Sequence, residues 1–110
     1  MNDRTIRRAA WLLALGIGSL GGQSRAEPTS VSEGYRLADA RCAVCHVIVA
    51  DGPGSWTDAP PFTSIANRPG ITRAWLAEFV QKPHMHMLTD YYTPAQANDI
   101  ADYILSLRRK

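Results

Sequence analysis

The chain has 110 residues, a formal net charge of +2 and a hydrophobic fraction of 45%. This length suits one domain, and the small net charge argues against nucleic-acid binding, which requires a strongly basic surface. The chain contains two cysteines, Cys42 and Cys45, and both lie in one short motif.

Residues 1–26 have the pattern of a cleavable secretory signal peptide. Three arginines lie within the first eight residues, residues 9–20 are largely apolar, and Ser24-Arg25-Ala26 is a small-x-small cleavage site. The apolar stretch is shorter than the roughly 20 residues that a membrane span needs, which favours cleavage over a membrane anchor. We therefore expect one domain of residues 27–110, which holds eight basic and nine acidic residues and has a net charge near −1.

The first helix is predicted to begin at Ser30 and to run into Cys42. Ser30 and Glu33 have the spacing of a capping box. Gly34 lies inside this helix, where glycine costs about 1 kcal/mol relative to alanine. Its missing side chain suggests a close helix crossing, and we expect the contact to be Tyr103 on the last helix. The alternative is a glycine that is tolerated near a helix start.

Cys42, Cys45 and His46 form a C-x-x-C-H motif, which is typical of c-type haem attachment. The two thiols can each add to a vinyl group of one porphyrin, and the histidine can then bind the iron. A redox dithiol, a disulfide or half of a zinc site are the alternatives. Zinc would need two more ligands, and His84 and His86 lack the spacing of a zinc finger. No βαβ pattern supports a thioredoxin-like dithiol. The motif therefore predicts one covalent haem c, which would also stabilise a domain too small to rely on its hydrophobic core alone.

Residues 47–61 are predicted to form a loop because they contain several glycines and prolines. Trp56 is unusual in such a loop, since a large ring tends to pack on an apolar surface while its N–H needs an acceptor. A haem edge with a propionate would supply both. The alternative is that Trp56 covers the loop's own core.

A short helical turn over residues 64–67 is followed by a helix that Thr72 caps and Pro83 ends. Trp75, Leu76, Phe79 and Val80 are expected to form its apolar face. In so small a domain this face can belong to the core and also contact a haem.

The sequence His84-Met85-His86-Met87 contains the candidates for the sixth ligand of the iron, because thioether sulfur and imidazole both bind haem iron. Thr93 and Gln96 then form a capping box with Pro94 at the first helical position. Apolar residues continue at helical spacing to Leu107. The run Arg108-Arg109-Lys110 suits the C-terminus of this last helix.

Taken together, these motifs resemble those of small class I c-type cytochromes, the short bacterial periplasmic proteins with one haem. The resemblance extends from the first helix to the end of the chain. It rests on Gly34, on residues 42–46, on Ala59-Pro60-Pro61-Phe62, on Pro83-His84 with Met87, and on residues 103–107. It implies an all-α cytochrome c fold of three main helices plus a short helical turn around one covalent haem.

The resemblance also implies roles for individual residues. His46 and Met87 would be the iron ligands, with Met85 or a histidine as alternatives to Met87, and the Pro60 carbonyl would bond to His46. Phe62, Leu76, Phe79 and Trp56 would contact the haem.

The function implied is that of a periplasmic electron carrier, not an enzyme. Such a protein is expected to be a monomer that forms transient complexes with redox protein partners. A haem-based ligand binder or sensor, or a haem subunit of a larger oxidoreductase complex, is the alternative.

Overall fold

The computed structural model describes residues 16, 18, 21–22, 27–54, 56–82 and 92–109. Within these ranges the chain forms four helices and no β-strand, namely α1 (Ser30–Arg41), α2 (Phe62–Ala66), α3 (Arg73–Val80) and α4 (Pro94–Ser106). This confirms the prediction of an all-α fold with three longer helices and one short one. The predicted signal peptide lies outside the described residues, apart from positions 16, 18, 21 and 22. None of the helices in the described part is long and apolar enough to cross a membrane.

The last helix, α4, organises the fold because it packs against each of the other three helices. Its start follows the predicted capping box, with Pro94 in the first turn. The Thr93 hydroxyl accepts from the Gln96 backbone N–H, and the Gln96 side chain accepts from the Thr93 backbone N–H. Two of the unpaired donors at the helix start are thereby satisfied.

The starts of α1 and α2 differ from the predictions. α1 is capped by Thr29 rather than Ser30, because Thr29 is extended and its hydroxyl accepts from the Ser32 N–H at 3.1 Å. Glu33 does not complete a capping box with Ser30, since its carboxylate pairs with Arg36. α2 begins at Phe62, two residues before the predicted turn, and ends at Ala66.

The four apolar side chains predicted on α3 differ in their exposure. Thr72 caps the helix as expected, and Leu76 and Val80 are buried, but Trp75 and Phe79 are 43% and 37% exposed. These two rings lie one turn apart and stack on each other with centroids 4.7 Å apart. Leu76 and Val80 therefore form the core-facing part of the predicted apolar face, and Trp75 and Phe79 form a neighbouring i, i+4 row beside it.

The closest helix crossing is that of α1 and α4 at Gly34. A Cβ atom on Gly34 would lie 1.9 Å from the Asp99 carbonyl oxygen and 2.8 Å from the Tyr103 Cβ. Both separations are far below van der Waals contact. The missing side chain therefore permits this crossing, and Tyr103 lies at it as expected, together with the backbone of Asp99.

α4 ends at Ser106, so the described part of the basic run, Arg108 and Arg109, follows the helix C-terminus as predicted. Arg108 turns back and donates to the carbonyl oxygens of Ala66 and Ile71. Ala66 is the last residue of α2, whose final carbonyls lack helical donors. The Arg108 guanidinium therefore caps the end of α2.

Candidate haem-binding site

The C-x-x-C-H motif folds as a tight turn at the end of α1. Cys42 is the C-cap, and the backbone N–H groups of Cys45 and His46 both donate to the Cys42 carbonyl, at 3.1 and 2.8 Å. This turn holds the two cysteines and the histidine within one short segment. Neither cysteine is in a disulfide, so the disulfide alternative is not formed.

The environment of Cys42 argues against a reactive dithiol. Burial raises the pKa of the Cys42 thiol to about 11, and a hydrogen bond from the Tyr92 hydroxyl opposes this only in part. Redox-active cysteines have the opposite property, a lowered pKa that supplies thiolate at neutral pH. Cys45 is exposed. The pair therefore fits a structural attachment site better than an exchange catalyst.

His46 is oriented by one hydrogen bond from its ring. The Nδ1 atom lies 2.7 Å from the carbonyl oxygen of Pro60. Because a carbonyl can only accept, Nδ1 carries the proton and donates, which leaves the lone pair on Nε2 for a metal ion. This is the contact that the resemblance implied. Such a bond fixes the tautomer and orientation of a ligand histidine.

The Pro60 carbonyl is itself held by the residues that follow it. Pro61 is the N-cap of α2, and the Phe62 N–H donates to the Val47 carbonyl at 2.9 Å. The buried Phe62 ring lies 5.3 Å from the His46 ring, centroid to centroid. The first residue of α2 is thus joined to Val47 by a backbone hydrogen bond and to His46 by side-chain packing.

Trp56 and Thr57 connect the loop to the attachment turn. The Trp56 indole N–H donates to the Val44 carbonyl at 3.1 Å, and the Thr57 hydroxyl donates to the Cys45 carbonyl at 2.5 Å. The Trp56 side chain is 83% exposed, so the alternative that it covers the loop's own core is wrong. Its N–H has a backbone acceptor and does not require a propionate.

Two tyrosines that support the site were not predicted in these roles. The buried Tyr103 hydroxyl donates to the Ile48 carbonyl at 2.6 Å, which ties α4 to the loop after His46. Tyr92 bonds to Cys42. The need of a buried tyrosine hydroxyl for a partner was the available signal, but the sequence could not identify which partner.

Met87, Met85, His84 and His86 lie outside the described residues. The residues on either side of this segment are close together, since the Gln81 side chain donates to the Tyr92 carbonyl at 3.4 Å. Because Tyr92 also bonds to Cys42, the described chain resumes at Tyr92 beside the attachment turn. Leu76, the other predicted haem contact on α3 besides Phe79, is buried in the core.

Within the described ranges, no group of three or more His, Cys, Asp or Glu side chains could hold a metal ion. The zinc alternative therefore gains no support from these residues. A covalent haem instead requires two thiols outside any disulfide, which form thioethers, and an imidazole whose Nε2 lone pair can bind the iron.

Comparison with known proteins agrees with this geometry. The family model described as Cytochrome c matches residues 31–108. The chain belongs to the cytochrome c family. It is 38% identical to cytochrome c-552 of Bradyrhizobium diazoefficiens over 85 residues, which cover 77% of this chain and 82% of that protein. No solved structure matches. Membership of the family implies one covalently bound haem c with iron and a role as a haem electron carrier.

Proposed function

We propose that this protein carries single electrons between redox protein partners in the periplasm, with His46 and Met87 as the ligands of the iron. The observation that supports this best is the 2.7 Å contact between His46 Nδ1 and the Pro60 carbonyl. It leaves Nε2 as the metal-binding atom beside two cysteines at the spacing of a haem attachment site. The relative in Bradyrhizobium diazoefficiens is named as a cytochrome, which is consistent with this role.

The residues of the chain have separate tasks in the proposed mechanism. Cys42 and Cys45 hold the haem through thioether bonds, and His46 is kept in one tautomer by Pro60. When bound, the haem supplies a one-electron change at its iron, while the protein sets the potential and access. Phe62, Leu76, Phe79 and Trp56 are proposed to pack near it.

Residues 1–26 are proposed to direct export to the periplasm and then to be cleaved. The mature protein is proposed to be an electron carrier without catalytic activity. With a net charge near −1 for residues 27–110, long-range electrostatic attraction of partners is expected to be modest. The partners themselves would be a donor dehydrogenase and an acceptor oxidase or respiratory chain.

The proposal is tested by mass spectrometry and spectroscopy of the protein purified from a periplasmic extract. The expected mass is that of residues 27–110 plus one haem, retained through acidic organic extraction. The reduced protein should bind carbon monoxide slowly at neutral pH, because His46 and Met87 would both hold the iron and a ligand would have to displace one of them. Rapid binding would instead support a ligand binder or sensor, and a mass that includes residues 1–26 would support a membrane anchor.

Replacing Met87 tests the sixth ligand. Met87→Ala should abolish the weak sulfur-to-iron charge-transfer band of the oxidised protein and lower the reduction potential, because a thioether ligand favours reduced iron. Met85→Ala is the matched control and should change neither property by much. If the band survives in Met87→Ala and disappears in Met85→Ala, then Met85 is the ligand.

A further inference from the structure

Arg108 links the C-terminus of the chain to the end of α2. Its Nε donates to the Ala66 carbonyl at 3.0 Å and its Nη2 to the Ile71 carbonyl at 2.9 Å. The next residue strengthens the link, because the Arg109 backbone N–H donates to the Asn67 side chain at 3.0 Å. One guanidinium therefore bridges the end of α2 and the segment that leads into α3.

The opposite end of α2 contacts His46. Pro60 and Pro61 immediately precede the helix, and their rings restrict the backbone rotation about φ. The Pro60 carbonyl accepts from His46 Nδ1 at 2.7 Å, and the ring of Phe62 packs against His46. α2 has five residues and is therefore about 7.5 Å long. α2 is short, two prolines precede its first residue, and Arg108 holds its last residue. A displacement of the Ala66 end should therefore be transmitted to the Pro60 end.

We propose that Arg108 is a positioning residue for His46 and that it acts through α2. By holding Ala66, it keeps the Pro60 carbonyl at hydrogen-bonding distance from Nδ1 and so maintains the strength of that bond. This inference rests on the proposed role of His46 as a ligand of the iron. It extends that role to a side chain 62 positions further along the chain.

The inference predicts the sign of a change in reduction potential. A strong bond from Nδ1–H to a carbonyl raises the basicity of Nε2, and a more basic ligand stabilises oxidised iron. Loss of the Arg108 clamp should weaken that bond and raise the potential. Loss of a positive charge by itself has the opposite effect, since a nearby cation favours the reduced, less positive iron. The two causes are therefore distinguished by sign.

The experiment compares Arg108→Gln with Arg109→Gln in the full haem-loaded protein. Both variants remove one positive charge at adjacent positions, but the described bond of Arg109 uses its backbone N–H and survives the substitution. We expect Arg108→Gln to raise the midpoint potential and Arg109→Gln to leave it unchanged or lower it slightly. Exchange of the His46 Nδ1 proton, followed by NMR, should accelerate up to about tenfold in Arg108→Gln, the factor that corresponds to the upper end of the net contribution of one neutral hydrogen bond.

Arg108→Lys supplies the second readout, because an ammonium group can reach one of the two carbonyls without bridging both. It should give a potential between those of the wild type and Arg108→Gln. A potential in Arg108→Gln that equals that of Arg109→Gln, with unchanged Nδ1 exchange, would overturn the inference even if the variant unfolds more easily. The proposed function would stand in that case, because the wild-type spectrum tests it independently.

Discussion

The crossing of α1 and α4 makes Gly34→Ala the most demanding test of the packing. In an ordinary helix interior this substitution would gain about 1 kcal/mol. Here the new Cβ would lie 1.9 Å from the Asp99 carbonyl oxygen and 2.8 Å from the Tyr103 Cβ. A separation of about 3.2 Å or more is needed for contact with that oxygen, so the two helices must move apart by roughly 1 Å.

Overpacking typically costs about 1–3 kcal/mol and occasionally more. A substitution that must displace two packed helices is expected to lie at the upper end of this range. We therefore expect Gly34→Ala to lower the free energy of unfolding by about 2–4 kcal/mol. For a domain of this size, each kcal/mol corresponds to about 4–8 °C in Tm. The expected loss in Tm is on the order of 10–25 °C, measured by thermal unfolding of the haem-loaded protein.

Gly54→Ala is the matched control, because a Cβ at that position has nothing within 4 Å. It should change the free energy of unfolding by no more than about 0.5 kcal/mol. If both variants unfold at the same temperature, then α1 and α4 do not approach each other at Gly34 as described. Chemical unfolding with unchanged m-values would show that stability changed without a change in the compactness of the folded or unfolded state.

Two further predictions concern α4. Tyr103→Phe leaves the Ile48 carbonyl without its donor and should lower the free energy of unfolding in urea by about 1–2 kcal/mol. Tyr35→Phe, at a 42% exposed residue, should have little effect. Equal losses in the two variants would contradict the buried hydrogen bond of Tyr103. Arg73 lowers the pKa of Asp102 from its ordinary value of 3.8, so this carboxylate stabilises the fold above that pH and the contribution is lost as the pH falls through the lowered pKa. The difference in Tm between wild type and Asp102→Asn should accordingly be constant above about pH 5 and shrink below about pH 4, and a difference that grows on acidification would refute the assignment.

The parts of the site that were predictable lie close together in the sequence. Cys42, Cys45 and His46 fall within five residues, and a turn at a helix end brings them together whatever the rest of the fold does. The capping box of α4 spans four residues for the same reason. The Pro60 contact to His46 was anticipated from a family resemblance, because nothing in the local pattern identifies that carbonyl as an acceptor.

At the start of α1 and on the face of α3, neighbouring residues were equally suited to the same role, and the fold decided between them. Thr29 and Ser30 can both cap α1. Thr29 is the cap because its backbone is extended, whereas Ser30 already has helical geometry. On α3, Leu76 and Val80 form one apolar row and Trp75 and Phe79 form another. The packing of α3 against α4 decided that the first row is buried. Local preference differs by only a few tenths of a kcal/mol between such alternatives.

The sequence by itself determined the chemistry of this protein and the approximate extent of its helices, because both depend on side chains within one or two turns of each other. The tertiary structure alone decided the partners of groups that lie far apart in the chain. The Tyr103 hydroxyl finds a carbonyl 55 residues away, and Arg108 caps a helix that ended 42 residues earlier. Any exposed backbone carbonyl can accept from such donors, so composition and spacing cannot select one, and only the packing of α1, α2 and α3 against α4 does.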